Sequence, residues 1–164
     1  MATNYEFWAQ TWGHEQPTFV RVLKALPADQ LDYKPHEKNT SAGDIAWQLA
    51  LEADNLSTLL DTGVINFEPT PRPGSLDAIV AEFERASEAL KGRLASIDDA
   101  KWASTGDFRM GGQSVWSGTV QDLCWGYIFD MVHHRGQLSA YIRPMGGKVP
   151  SIYGPSGDDS GQGS

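Results

Sequence analysis

The chain has 164 residues, enough for one domain with a sizeable core, and its 40% hydrophobic and 10% aromatic content is that of a folded globular protein. A formal net charge of −8 excludes the broad basic surface that nucleic-acid phosphates need. One cysteine, Cys124, excludes an internal disulfide and fits a reducing compartment, and no apolar run approaches the roughly 20 residues that span a bilayer. Met1 to Trp12 has no basic start followed by an apolar stretch, so no secretory signal is read there. The expectation is a soluble cytoplasmic domain that contacts neither nucleic acid nor membrane.

Four stretches carry helical periodicity. In the first, Trp8, Trp12, Glu15, Phe19, Val22 and Leu26 share a face, and Pro27 closes it. Pro17 falls on the opposite, solvent side and predicts a kink. An irregular stretch over 32–39 then reads as a loop. Thr40 or Ser41 caps the second helix, with Asp44 complementing the dipole in its first turn. Ile45, Gln48, Leu49, Glu52, Leu56 and Leu59 line that helix, which ends near Gly63.

A proline-rich connection, Pro69-Thr70-Pro71-Arg72-Pro73-Gly74, leads to a third helix capped by Ser75, with Ile79, Phe83, Ala86, Leu90, Leu94 and Ile97 as its apolar stripe. Residues 101–118 read as a long ordered loop containing a short hairpin at Met110 to Ser114. The fourth helix is expected from about Thr119 to Met145, stopping at Gly146-Gly147. Four long amphipathic segments and no convincing strands predict an all-α, four-helix bundle over 1–150. The Gly-, Ser- and Asp-rich stretch 151–164 reads as a polar, mobile tail in which Ile152 and Tyr153 are able to pack back.

Three of these helices place polar groups on apolar faces. Helix one has Glu15; helix two has Gln48 and Glu52, one turn apart. Helix four carries Asp130, His133, His134 and Gln137 on one arc with Leu123, Tyr127 and Tyr141, because i, i+3, i+4 and i+7 stack at about 100° per residue. Buried polar groups need partners, and inward groups from facing helices are how bundles build metal and ligand sites. Each residue taken alone also has a plain reading, as a hydrogen-bonded core group or a solvated edge carboxylate. Arg135 points off this arc and reads as an ion-pair or helix-end residue. Other chemistries lack their motifs: there is no phosphate-binding glycine loop, no G-x-S-x-G elbow and no His-Glu-x-x-His, and Cys124 lies off the arc.

The segment His134-Arg135-Gly136-Gln137-Leu138, followed by Gly146 and Pro150, and the helix-two stretch from Ser41 to Ala50 resemble the DinB-like (DinB/YfiT) superfamily over roughly residues 1–150. The resemblance implies an up-down-down-up four-helix bundle, often a homodimer. In members with the full motif, one histidine on helix two and two spaced four apart on helix four hold a divalent metal. Carried onto this chain, His134 takes one helix-four position, Asp130 stands in the other, and Gln48 stands in the helix-two position. The implied ligand set is Gln48, Asp130 and His134, with Glu52 placed to complete it, and Asp130, His134 and His133 are the candidate catalytic groups.

Characterised relatives include thiol-dependent enzymes, so a Zn, Ni or Mn site would serve S-transferase or hydrolase chemistry on a thiol or small-molecule ligand. The other expectation is a metal-free descendant, in which Gln48, Glu52, Asp130 and His134 close a hydrogen-bond network beside a polar small-molecule pocket. A metal-free acid/base dyad of Asp130 and His134 is the third.

Overall fold

Each long helix begins where a short oxygen-bearing side chain accepts a hydrogen bond from an otherwise unpaired backbone N–H. In the computed structural model, which describes residues 2–161, Thr3 caps α1 (Asn4–Lys24) and Ser41 caps α2 (Ala42–Thr62). Ser75 caps α3 (Leu76–Leu94), Asp98 caps the short α4 (Asp99–Trp102), and Thr119 caps α5 (Val120–Ile142). Two of these are reciprocal capping boxes, Thr3 with Glu6 and Thr119 with Asp122. At the other end of α2, Gly63 takes φ 79°, a left-handed C-cap that a side chain would strain. Helix α1 runs through Pro17 without a break, and the proline ring is exposed as its position predicts.

The long helices pack chiefly in the order α1–α3–α2–α5, with α5 returning to α1. They enclose one core, which includes Trp8, Trp12, Phe19, Leu49, Leu56, Phe83, Leu90, Met131 and Leu138. Trp8 and Trp12 stack with parallel rings, and Phe19 meets Phe83 across the α1–α3 contact. No helix among the described residues is long and apolar enough to cross a membrane.

The all-α expectation needs correcting. The protein is mostly helical, but β1 (Val64–Phe67), β2 (Thr105–Met110) and β3 (Gln113–Thr119) form a three-stranded sheet in that order. The region expected to be a loop with a short hairpin at Met110 to Ser114 is therefore a longer hairpin, built from β2 and β3. Gly111 and Gly112, at φ 56° and 79°, make the two-residue turn whose twist suits antiparallel strands. β1 pairs parallel with β2, from Val64 opposite Asp107 to Phe67 opposite Met110. A register shift between Phe108 and Arg109 leaves Val115 of β3 as the extra residue, and Phe108 meets Tyr127 of α5 edge to face at 6.2 Å. The sheet thus covers the start of α5 and stands beside the polar arc.

The described part of the tail is held against the helices. Arg21 Nε donates to the Ser151 carbonyl at 3.3 Å, Asp158 accepts from Val149 N and Arg143 Nε, and Asp159 accepts from Ser151 N. Ile152 packs on the core, as its apolar side chain allows.

Candidate metal centre

The site lies where α2 and α5 face each other. On α2, Gln48 and Glu52 are one turn apart, and the Gln48 Nε2 group donates to Glu52 Oε1 at 2.9 Å. On α5, Asp130 and His134 are likewise one turn apart, with His134 Nε2 at 3.5 Å from Asp130 Oδ2. The helices meet at His134 Nε2, which stands 2.8 Å from Gln48 Nε2 and 3.8 Å from Glu52 Oε1.

The histidine's orientation is set from outside. His134 Nδ1 lies 2.9 Å from Gln137 Oε1, a carbonyl that can only accept, so Nδ1 carries the proton and donates. Nε2 is left with its lone pair turned toward the carboxylates. Metal-binding imidazoles are commonly held this way, with one ring nitrogen anchored by a donor–acceptor contact and the other free to ligate.

Glu52 is the most constrained member. It is 3% exposed, and its Oε2 atom is buried without a hydrogen-bond partner. An orphaned buried carboxylate oxygen is costly. The Glu52 carboxyl is pushed up to about 8, chiefly by burial, with the Gln48 hydrogen bond opposing the rise and Asp130 adding to it. Asp130 has a side chain 56% exposed and so opens the cluster to solvent. Tyr127 borders the same space; burial, followed by the Glu52 charge, pushes its phenol up, and a hydrogen bond with Asn55 partly offsets the rise.

Glu52, Asp130 and His134 each offer a ligand atom, all within 4.8 Å of one another. Nitrogen and oxygen ligands at about 2.1 Å from a tetrahedral zinc would be spaced about 3.4 Å apart. The donor set and the orphaned Glu52 oxygen therefore fit a divalent cation. Of the other residues singled out, Gln48 stands inside the cluster with its N–H groups engaged, while His133 is exposed, its ring 5.4 Å from that of His134. The arc is narrower than the periodicity implied, with Asp130 and His133 on its solvent side and His134 and Gln137 at the border of the core.

The face of α5 that enters the core is a different one. Ile128, Met131, Arg135, Leu138 and Ile142 are buried there, with Arg135 only 2% exposed. Its guanidinium lies between the rings of Phe19 and Tyr153, 4.7 and 4.9 Å from their centroids. It donates to the Glu15 carboxylate and to the Tyr153 hydroxyl, and that hydroxyl in turn lies 2.9 Å from Glu15 Oε1. Spacing from Ile128, Met131 and Leu138 was the available signal for this buried arginine. The reading that placed Arg135 off the polar arc was correct as geometry, and its ion-pair role is met by Glu15.

Cys124 is fully buried, and burial pushes its thiol far above the ordinary range. Any thiol brought to this site must therefore come from another molecule. Ellman's reagent at pH 8 is expected to label native protein at least about 100-fold more slowly than protein unfolded in urea. Comparable rates would show that the first turns of α5 open readily.

Beside the cluster, Phe108 and Trp116 of the hairpin and Leu123, Gly126 and Tyr127 of α5 line a shallow, mainly apolar cavity of about 220 Å³ that is open to solvent. On the other flank, Gln48 borders a second cavity of about 240 Å³ with Trp47, Phe67 and Arg72.

A protein of Bacillus subtilis strain 168 described as uncharacterised, YrdA, is 26% identical over 163 residues, spanning 97% of this chain and 93% of its own length. The crystal structure of a DinB-like protein from Bacillus cereus ATCC 10987 superposes with a TM-score of 0.72 at 21% identity, covering 89% of this chain and 95% of that one. That of the DinB-like protein YjoA from Bacillus subtilis gives 0.68 at 15% identity, covering 85% and 92%. Both structural likenesses speak to the fold. The sequence profile of the DinB family matches residues 1–162, and the chain belongs to the DinB family.

Proposed function

We propose that the α2–α5 cluster is a divalent-cation site, carried on a frame we read as a four-helix bundle, with Glu52, Asp130 and His134 as ligands. The observation that carries this reading is the His134 tautomer: Gln137 holds the Nδ1 proton, so the Nε2 lone pair faces two carboxylates. With Glu52 ionised, this nitrogen and the two carboxylates would together favour a positive charge placed between them. Mixed imidazole and carboxylate donors suit Zn, Ni or Mn.

Such a cation would lower the pKa of a bound thiol or water and so supply a nucleophile at neutral pH. The activity to seek is thus of the S-transferase or hydrolase type. Within it, Gln137 keeps His134 oriented, Glu52 contributes a charge shielded from water, and Asp130 stands at the solvent side where a substrate enters. The cavity beside Tyr127 suits an apolar part of that substrate.

One observation favours a second reading. Gln48 Nε2 donates to both Glu52 Oε1 and His134 Nε2, which closes a hydrogen-bond network needing no metal. In that case the cluster is the polar wall of a small-molecule pocket. Calorimetric titration of chelator-treated protein with Zn, Ni and Mn separates the two. The metal reading expects one equivalent bound, and at least about 100-fold weaker binding in His134→Ala, since loss of an outer-shell partner alone costs about 10–100-fold. No heat and no thermal shift with any of the three ions overturns it in favour of the closed network.

A further inference from the structure

Opposite the α2–α5 edge, α1 and α3 border a cavity of about 470 Å³. That volume lies in the range of small-molecule sites. Its depth is polar in one place: Ser87 is 3% exposed, lines the cavity, and its Oγ atom has no hydrogen-bond partner. A buried hydroxyl without a partner is destabilising and is normally matched by something.

Gly13 lines the cavity and leaves open space beside it. Gly13 sits in the middle of the 21-residue α1, where a glycine costs roughly 0.5–1 kcal/mol relative to alanine, and a Cβ there would meet nothing within 4 Å. Tyr5 and Trp12 supply aromatic surface to the wall, and Leu94 adds aliphatic surface. Glu84 and Glu88 flank Ser87 along α3, with Lys91 one turn on. Lys24 neutralises Glu84 at 2.7 Å, whereas Lys91 reaches Glu88 only at 3.6 Å between two highly exposed side chains.

We infer that this α1–α3 cavity is a second binding site, for a small organic cation: an apolar body against Tyr5, Trp12 and Leu94, with an ammonium group directed to Ser87 Oγ and the Glu88 carboxylate. Three features select a cation over a neutral or acidic ligand. With Glu84 neutralised by Lys24, Glu88 is the carboxylate held only loosely, by Lys91 at 3.6 Å; aromatic side chains attract cations, and the whole chain carries −8. The ammonium's three N–H groups allow it to donate to the unpartnered serine oxygen and to Glu88 together; a carboxylate ligand can accept from the same hydroxyl but meets the like charge of Glu88.

Calorimetry with 2-phenylethylammonium, 2-phenylethanol and 3-phenylpropionate tests this on the full chain at neutral pH. The ammonium compound is expected to bind at least tenfold more tightly than the alcohol, with the acid weaker still. Ser87→Val and Glu88→Gln should each weaken the ammonium ligand by about tenfold, and Glu52→Gln, on the opposite edge, should leave it unchanged. Gly13→Leu fills the cavity while improving helix propensity. It should abolish binding and raise the unfolding temperature, so the loss cannot come from misfolding. Equal affinity for the alcohol overturns the cation assignment. No binding of any compound at millimolar concentration, or undiminished binding in Gly13→Leu, overturns the site; loss of binding in Glu52→Gln moves it to the α2–α5 cluster and overturns it equally.

Discussion

Glu15→Ala is expected to lower stability by about 3–5 kcal/mol, the cost of leaving a buried charge without its counterion. Arg135 is almost fully buried, and Glu15 is its anion. In a chain of this length 1 kcal/mol shifts the unfolding midpoint by roughly 2–4 °C, so thermal denaturation should show a loss of roughly 10 °C. Tyr153→Phe keeps the ring over the guanidinium but removes the hydroxyl shared by Arg135 and Glu15, and should cost about 1 kcal/mol. The two effects should not add, because both residues touch the same guanidinium. A Glu15→Ala loss under about 1 kcal/mol, which is surface-pair behaviour, would refute the buried pair.

Glu52→Gln should have a pH-dependent effect of opposite sign. In the folded protein the Glu52 carboxyl titrates at about 8, against 4.5 for an ordinary glutamate, chiefly because it is buried. Between those pH values the native state keeps a proton that the unfolded chain has released. Wild-type stability therefore falls as pH rises from 4.5 through 8, and the loss is complete above 8. The limit of that loss is on the order of 4 kcal/mol. Glutamine is a neutral group of the same shape, so the variant escapes it. In chelator, urea unfolding should find Glu52→Gln close to wild type at pH 4.5 and more stable by a few kcal/mol at pH 9. Parallel stability curves for the two proteins would show that Glu52 is solvated rather than buried.

The local signals along the chain were strong wherever they acted within a few residues. Ser41 and Ser75 cap their helices, Thr119 caps α5, and Gly63 stops α2, each as its residue type requires. The pairing of Gln48 with Glu52 and of Asp130 with His134 followed from helical spacing alone, and the family resemblance pointed to the same cluster.

The sheet was not legible in the same way. β3 is exposed along nearly its whole length and shows no alternation of apolar and polar residues, and β1 has only four residues. β1 pairs with β2, a segment some 40 residues further along, which no local window contains.

Arg135 marks the same boundary. Composition, charge, the caps and the helical periods follow from residue type and spacing, because backbone hydrogen bonding repeats every few residues. Which face of α5 turns inward depends on what the other helices leave room for. Arg135 is buried because Glu15, 120 residues earlier, and Tyr153, 18 residues later, supply its partners. Glu52 sinks below the surface while Asp130, its neighbour across the cluster, stays in water. Burial, and the electrostatics that follow from it, belong to the packed molecule, since desolvation is imposed by neighbours that are remote in the chain.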